Sequence, residues 1–225
     1  MKKICVVGLN YFPEISSTGL YTTEMCEYLS REFQVKVVTG YPYYPEWEIR
    51  TDYSQKKGIL KENTKNVEII RVKQYVPVKV NPLNRLIHYW DFYHKALSVC
   101  RKEDCDMIMV ILPNIFLLNL AIKVKKKYPK LKIWAHVQDF EIDAGLEMIK
   151  GIDKIKPLKR SLYHIEKKLF SKFDVVSTIS DGMMMKFDKK GASKDKQFLL
   201  PNWADIDFLY PILKSPYRDE LKISD

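Results

Sequence analysis

The sequence predicts a doubly wound α/β fold, a parallel Rossmann-like sheet wrapped by helices. Three observations carry this expectation. Short, nearly continuous apolar and β-branched runs recur along the chain, as strands buried on both faces should read. Helical patterns lie between them, and strand alternating with helix over the whole length implies parallel pairing through crossover helices. Of 225 residues, 46% are hydrophobic and 12% aromatic, which excludes a disordered or linker sequence and leaves ample length for a core.

The runs are Ile4–Gly8, Val35–Thr39, Val67–Val72, Asp106–Leu112, Leu131–Val137, Val175–Ser180 and Gln197–Leu200. Between them, Gly19–Phe33 places Leu20, Met25, Tyr28 and Leu29 near one helical face. Leu83–Lys102 does the same with aromatic residues, and Ile115–Tyr128 and Leu158–Lys172 follow suit. No segment approaches the ~20 apolar residues of a spanning helix, and Ile4–Gly8 is too short for a signal peptide, so any membrane contact is expected to be peripheral. Cys5, Cys26, Cys100 and Cys105 lack paired metal spacing or flanking histidines and read as reduced structural thiols of a cytosolic protein.

Lys+Arg 38 against Asp+Glu 28 leaves a net charge of +10. Such a balance suits nucleic acid, an anionic membrane or a phosphorylated substrate. Lys123, Lys125, Lys126, Lys127, Lys130 and Lys132 occur without an intervening acid, and Lys150–Lys172 is a second basic stretch. No nucleic-acid recognition motif accompanies them, so nucleic acid is not an expected partner. Either run is a solvated helix face or a surface for anionic headgroups, at about 1 kcal/mol per basic residue. Leu83–Lys102 mixes apolar, aromatic and basic residues, as an interfacial helix or a core helix with one solvated face does.

Ligands of doubly wound sheets bind at the carboxyl ends of the strands. After the first run, residues 10–19 form a donor-rich loop leading into a helix. It suits a phosphate at the helix N-terminus, or is an ordinary cap by Ser17 or Thr18. No G-x-G-x-x-G or Gly-Lys-Ser/Thr occurs, which argues against a nicotinamide enzyme and a P-loop NTPase. The loop Tyr41-Pro-Tyr-Tyr-Pro-Glu-Trp offers rings that can stack on a sugar or lipid, or that simply seal the sheet edge. In Ala135-His-Val-Gln-Asp-Phe-Glu-Ile-Asp, alternation puts His136 and Gln138 on one side, with Asp139, Glu141 and Asp143 at the crevice. A His among carboxylates suits acid/base work or a substrate hydroxyl; a hydrogen-bonded structural His is the other reading.

Taken in order, Tyr11-Phe-Pro-Glu, Thr18-Gly-Leu-Tyr-Thr-Thr-Glu-Met, Val38-Thr-Gly-Tyr-Pro-Tyr-Tyr-Pro, His136-Val-Gln-Asp-Phe-Glu, Val176-Ser-Thr-Ile-Ser and Leu200-Pro-Asn-Trp-Ala-Asp resemble the amino-terminal half of GT-B glycosyltransferases of family 4. The likeness is to the bacterial subgroup that builds colanic acid, capsule and O-antigen. It implies a retaining transferase moving a sugar from a nucleotide-diphosphate donor to a polyprenyl-diphosphate-linked saccharide at the inner face of the cytoplasmic membrane. No metal or cofactor is implied. By resemblance, Ser17, Thr18 and Gly19 approach the donor diphosphate, and His136 and Asp139 are catalytic. Gln138, Glu141, Tyr44, Ser180 and Asn202 are further substrate contacts. The sequence departs from the family in having one glycine where many relatives have two or three, and Gln138 where a sugar-binding His is common. Residues 1–200 match the acceptor domain and 201–225 the interdomain hinge. The donor-binding domain that carries most nucleotide-sugar contacts is expected elsewhere, and the isolated piece is expected to be inactive. From a different class, a non-catalytic module binding membranes or polyanions on the same fold also fits the charge.

Overall fold

The structure is a computed structural model that describes residues 1–15, 17–140, 143, 156–207, 210–212, 215 and 217–222. Eight strands form one sheet: β1 (Lys3–Val7), β2 (Gln34–Gly40), β3 (Ile59–Thr64), β4 (Val67–Val72), β5 (Met107–Leu112), β6 (Lys132–Val137), β7 (Val175–Thr178) and β8 (Gln197–Leu199). Their spatial order is β3-β4-β2-β1-β5-β6-β7-β8, and every pairing is parallel except β3 with β4. The described helices are α1 (Ser17–Leu29), α2 (Thr51–Ser54), α3 (Pro82–Cys100), α4 (Phe116–Lys127), α5 (Lys156–Phe170), α6 (Asp181–Phe187) and α7 (Tyr217–Glu220).

The strand order reverses between β1 and β5, the position where open α/β sheets leave a crevice. There Gly8 follows β1, and a Cβ on it would lie 3.2 Å from Ile111 Cβ on β5, close enough that the Ile111 side chain would have to give by a few tenths of an ångström. One face of the sheet packs Val7, Val38, Val110 and Val137 against Phe92, Leu117 and Phe170 of α3, α4 and α5. The opposite face packs Val6, Val37 and Ile69 with Met25 and Cys26 of α1.

All seven sequence-derived strands are present, with differences at the edges. β3 is an eighth strand whose residues alternate exposed and half-buried, ILKENT, because it covers the outer edge of β4 and has solvent on its other side. β8 is the opposite edge, so Phe198 and Leu199 are exposed and not buried on both faces. In α1, Tyr28 points out of the core with the Arg31 guanidinium 5.2 Å from its ring, while Thr22, Thr23 and Cys26 are buried in its place.

The charge inside β4 is the other difference. Arg71 is 1% exposed, in a run that reads as apolar. Its Nε donates to Glu62 Oε2 at 2.6 Å, and its two terminal nitrogens donate to Gly40 O and Phe12 O. One guanidinium thereby joins the edge strand, the end of β2 and the loop after β1.

Candidate active site

Two clusters of polar residues occupy the carboxyl edge. In the first, Glu14 is buried in the loop after β1. Its Oε1 accepts from Tyr43 N at 2.7 Å and Tyr44 N at 2.9 Å, and its Oε2 accepts from Asn10 Nδ2 at 2.8 Å. Burial pushes its carboxyl up, against the pull of those three donors. The carboxylate fastens the loops after β1 and β2 together. Tyr41 and Tyr43 are buried behind this junction, with Trp47 on Tyr43 at 5.4 Å, which leaves Tyr44 the exposed ring of the loop.

Gly19 lies in the first turn of α1, directly beneath that loop. A Cβ there would fall 2.9 Å from Glu14 O, a backbone atom that cannot swing away. Gly19→Ala is expected to cost about 1–3 kcal/mol as overpacking, read as a lower urea midpoint at unchanged slope. A change below about 0.5 kcal/mol would show that the loop yields freely. Thr23 closes the same turn, its Oγ1 accepting from Phe12 N at 2.8 Å and donating to Gly19 O at 2.7 Å. Thr18 is half-buried, and the first turn of α1 holds no acidic residue, so its positive pole is uncompensated from within. Ser17 opens the helix.

The second cluster centres on His136, 3% exposed near the end of β6. Register pairs it with Ser177 of β7, whose Oγ lies 2.9 Å from His136 Nδ1 and accepts from Trp134 Nε1 at 2.7 Å. Gln138 Nε2 stands 2.9 Å from His136 Nε2; an amide nitrogen only donates, so Nε2 accepts and the ring hydrogen rides on Nδ1. Gln138 and Asn202 then exchange two amide hydrogen bonds, each 3.2 Å. Burial pushes the His136 pKa down to about 4, so the ring is neutral near pH 7. Next to Asn202, Trp203 meets Tyr21 edge-on at 5.5 Å and donates to Glu24 Oε2 at 2.5 Å. The chain leaving β8 thus crosses to α1.

Of the sequence-derived residues, His136, Gln138 and Asn202 come together directly, while Gly19 and Tyr44 meet through Glu14. Asp139 is exposed, its Oδ1 accepting from Phe140 N at 2.7 Å, between Val137 and Phe140 in the core. Among the described residues no carboxylate touches His136. Asp143 instead pairs with Lys190 at 3.0 Å and Lys186 at 3.2 Å; burial pushes its carboxyl up, but the two ammonium groups hold it below the usual range. Ser180 caps α6, accepting from Met183 N. Glu141 and the Ser17 side chain lie outside the described residues. Glu14, Arg71, Trp134 and Ser177 were not singled out by sequence; Glu14 and Arg71 are charged residues beside or inside apolar segments, which was the available signal.

A concavity of about 850 Å³ lies elsewhere. It opens at the amino ends of β1 and β2, beside Lys3, Lys36, Glu68, Glu103 and Cys105. The strand-order reversal puts ligands at the opposite edge, where both clusters are.

A doubly wound sheet with this crevice is the architecture of one half of a GT-B glycosyltransferase. A sucrose-phosphate synthase from Thermosynechococcus elongatus superposes with a TM-score of 0.68 at 11% identity, over 100% of this chain and 53% of that one. A second structure of that synthase gives 0.55 at 10% identity, over 91% of each chain. At such identities these likenesses speak for the fold alone. No family model matches the chain. In sequence, the chain is 32% identical over 209 residues to the putative colanic acid biosynthesis glycosyl transferase WcaI of Escherichia coli (strain K12), covering 91% of this chain and 51% of the relative. The chain has the fold of one GT-B half and is WcaI-like in sequence. It spans about half the length of that relative.

Proposed function

We propose that this chain is the acceptor-side half of a retaining, family 4 glycosyltransferase of bacterial surface-polysaccharide synthesis. It takes a sugar from a nucleotide-diphosphate donor to a polyprenyl-diphosphate-linked saccharide at the inner face of the cytoplasmic membrane. The observation that carries this reading is the 32% identity to a colanic-acid transferase over 91% of the chain.

The geometry supports definite roles. The uncompensated N-terminus of α1, at Ser17, Thr18 and Gly19, suits the donor diphosphate without a metal. Neutral His136 is a hydrogen-bonding group for a sugar hydroxyl once Gln138 gives up its Nε2. Asp139, an exposed carboxylate whose Oδ1 accepts from Phe140 N, is the group assigned to proton transfer. Tyr44 offers a ring face to the acceptor saccharide, and Ser180 and Asn202 are further contacts; Glu141 is assigned to the same acceptor by the sequence resemblance alone.

The residues 201–225 serve as the hinge to a donor-binding half, and the chain alone has no turnover. Incubation with a panel of nucleotide sugars and lipid-linked acceptors tests this. Activity is expected only when the chain is extended to the relative's length. Robust turnover by residues 1–225 alone overturns the division of labour, and no turnover by the extended protein on any donor overturns the transferase reading.

A further inference from the structure

α3 carries two apolar stripes where a helix lying on a sheet needs one. Tyr89, Phe92, Tyr93, Ala96 and Leu97 are buried. Leu83, Leu86, Ile87 and Trp90, spaced i, i+3, i+4, i+7, form a second stripe and are 68%, 52%, 45% and 50% exposed. Val78, 96% exposed, and Val80 extend it into the preceding loop. Single exposed apolar side chains are ordinary, whereas a contiguous strip marks a surface that something covers.

Charge identifies the occupant. Residues 73–102 contain one acid, Asp91, against Lys73, Lys79, Arg85, Lys95, Arg101 and Lys102. That acid is already engaged, its Oδ2 accepting from Lys95 Nζ at 2.8 Å and from Tyr75 N at 2.6 Å. On the same side of the sheet α4 ends in Lys125, Lys126 and Lys127, and α5 exposes Arg160, Lys167 and Lys168. The apolar strip therefore lies in a cationic helical layer. An anionic bilayer satisfies both features, taking apolar tips at the acyl boundary and cations among its phosphates. A half-exposed Trp90, edge-on to His94 at 4.5 Å and Phe116 at 5.2 Å, fits the interfacial zone where an aromatic ring has one side apolar and one wet. Moreover α3 begins shortly after the carboxyl end of β4, so the strip starts at the edge of the sheet that holds the candidate site.

We propose that the Val78–Trp90 strip of α3 seats this domain on an anionic lipid bilayer, with Leu83, Leu86, Ile87 and Trp90 entering the headgroup–acyl boundary. A lipid-held acceptor then meets the site from the membrane side. That last step rests on the lipid-linked acceptor proposed above; the docking itself does not.

Flotation of the full chain with vesicles of phosphatidylethanolamine and phosphatidylglycerol, against phosphatidylcholine alone, tests the docking. The wild type is expected to float with the anionic vesicles, less so in high salt, and its Trp90 emission to shift to the blue, a shift absent from Trp90→Phe. Leu86→Gln with Ile87→Gln is expected to weaken binding about tenfold or more. Both side chains are about half exposed, so the urea midpoint is expected to stay put and to separate lost docking from lost folding. Undiminished flotation of the double variant overturns the proposal, as does equal binding to phosphatidylcholine. Self-association of the wild type that the same double variant abolishes, without flotation, also overturns it and assigns the strip to a second copy. Flotation involves no sugar chemistry, so a chain that docks through α3 while its extended form uses only soluble acceptors would refute the acceptor reading and leave the docking standing.

Discussion

Arg71→Ala is expected to lower unfolding free energy by about 3–5 kcal/mol, the largest effect of any single substitution considered in this protein. The guanidinium is 1% exposed and serves three segments at once: Glu62 of β3, the Gly40 carbonyl after β2 and the Phe12 carbonyl in the loop after β1. Truncation leaves Glu62 with only the Tyr53 hydroxyl and the more distant Lys56 as partners and two carbonyls short of a donor, and it removes a cation 5.2 Å from the centre of the Tyr53 ring. Arg71→Lys keeps the charge and loses the fork, so it is expected to recover only part of the loss. Because Phe12 belongs to the loop that Glu14 and Thr23 hold against α1, amide exchange in residues 9–15 is expected to quicken more than exchange in β5 or β6. Urea denaturation with hydrogen exchange measures both. A loss under about 1 kcal/mol would mean that solvent replaces the guanidinium, and that β3 and the loop stand without it.

The second large effect is a pH dependence set by His136. Its folded pKa, pushed by burial from 6.5 to about 4, lies below the unfolded value. Between those pH values the unfolded chain binds a proton that the folded chain refuses, so stability falls as pH falls. Above about pH 6.5 nothing is lost; by about pH 4 the loss reaches roughly 3 kcal/mol. His88 acts in the same direction, its burial lowering its pKa against the opposing pull of the Tyr75 carbonyl. Glu14 and Glu166, raised chiefly by burial, act in the opposite direction, because the folded state holds their protons more tightly. The wild-type profile is therefore a sum, and the difference from His136→Asn isolates one group. Asn keeps a donor near the Nδ1 position and cannot titrate. The variant is expected to be less stable than the wild type at pH 8, with the gap closing by about 3 kcal/mol towards pH 4. Parallel profiles would show that His136 does not carry this titration.

Much of the architecture was legible because its signals are local. Seven apolar runs became seven strands of the sheet, and four periodic segments became α1, α3, α4 and α5, since burial on a sheet or along a helix face imposes a period on neighbouring residues. β3 escaped this reading because Lys61, Glu62 and Asn63 suit an edge facing water, and what makes ILKENT a strand is the open side of β4. The mixture of aromatic, apolar and basic residues in α3 was legible, and it left open an interfacial helix or a core helix with one solvated face. Which apolar residues face outward required the position of the sheet.

The candidate site divides in the same way. His136, Gln138 and Asn202 came from motif resemblance, and the register of β6 with β7 together with the path beyond β8 brought them into one hydrogen-bonded chain. Gln138 and Asn202 are 64 positions apart, and no pattern around either residue announces the other.

The sequence by itself determined the alternation of strand and helix, the WcaI-like family likeness and the excess of positive charge. Only the tertiary structure decided where each buried polar group finds its partner: Arg71 with Phe12 across 59 positions, His136 with Ser177 across 41. The physical reason is that periodicity reports burial, whereas a buried charge or amide must be satisfied by whichever donor or acceptor the fold brings within hydrogen-bonding distance.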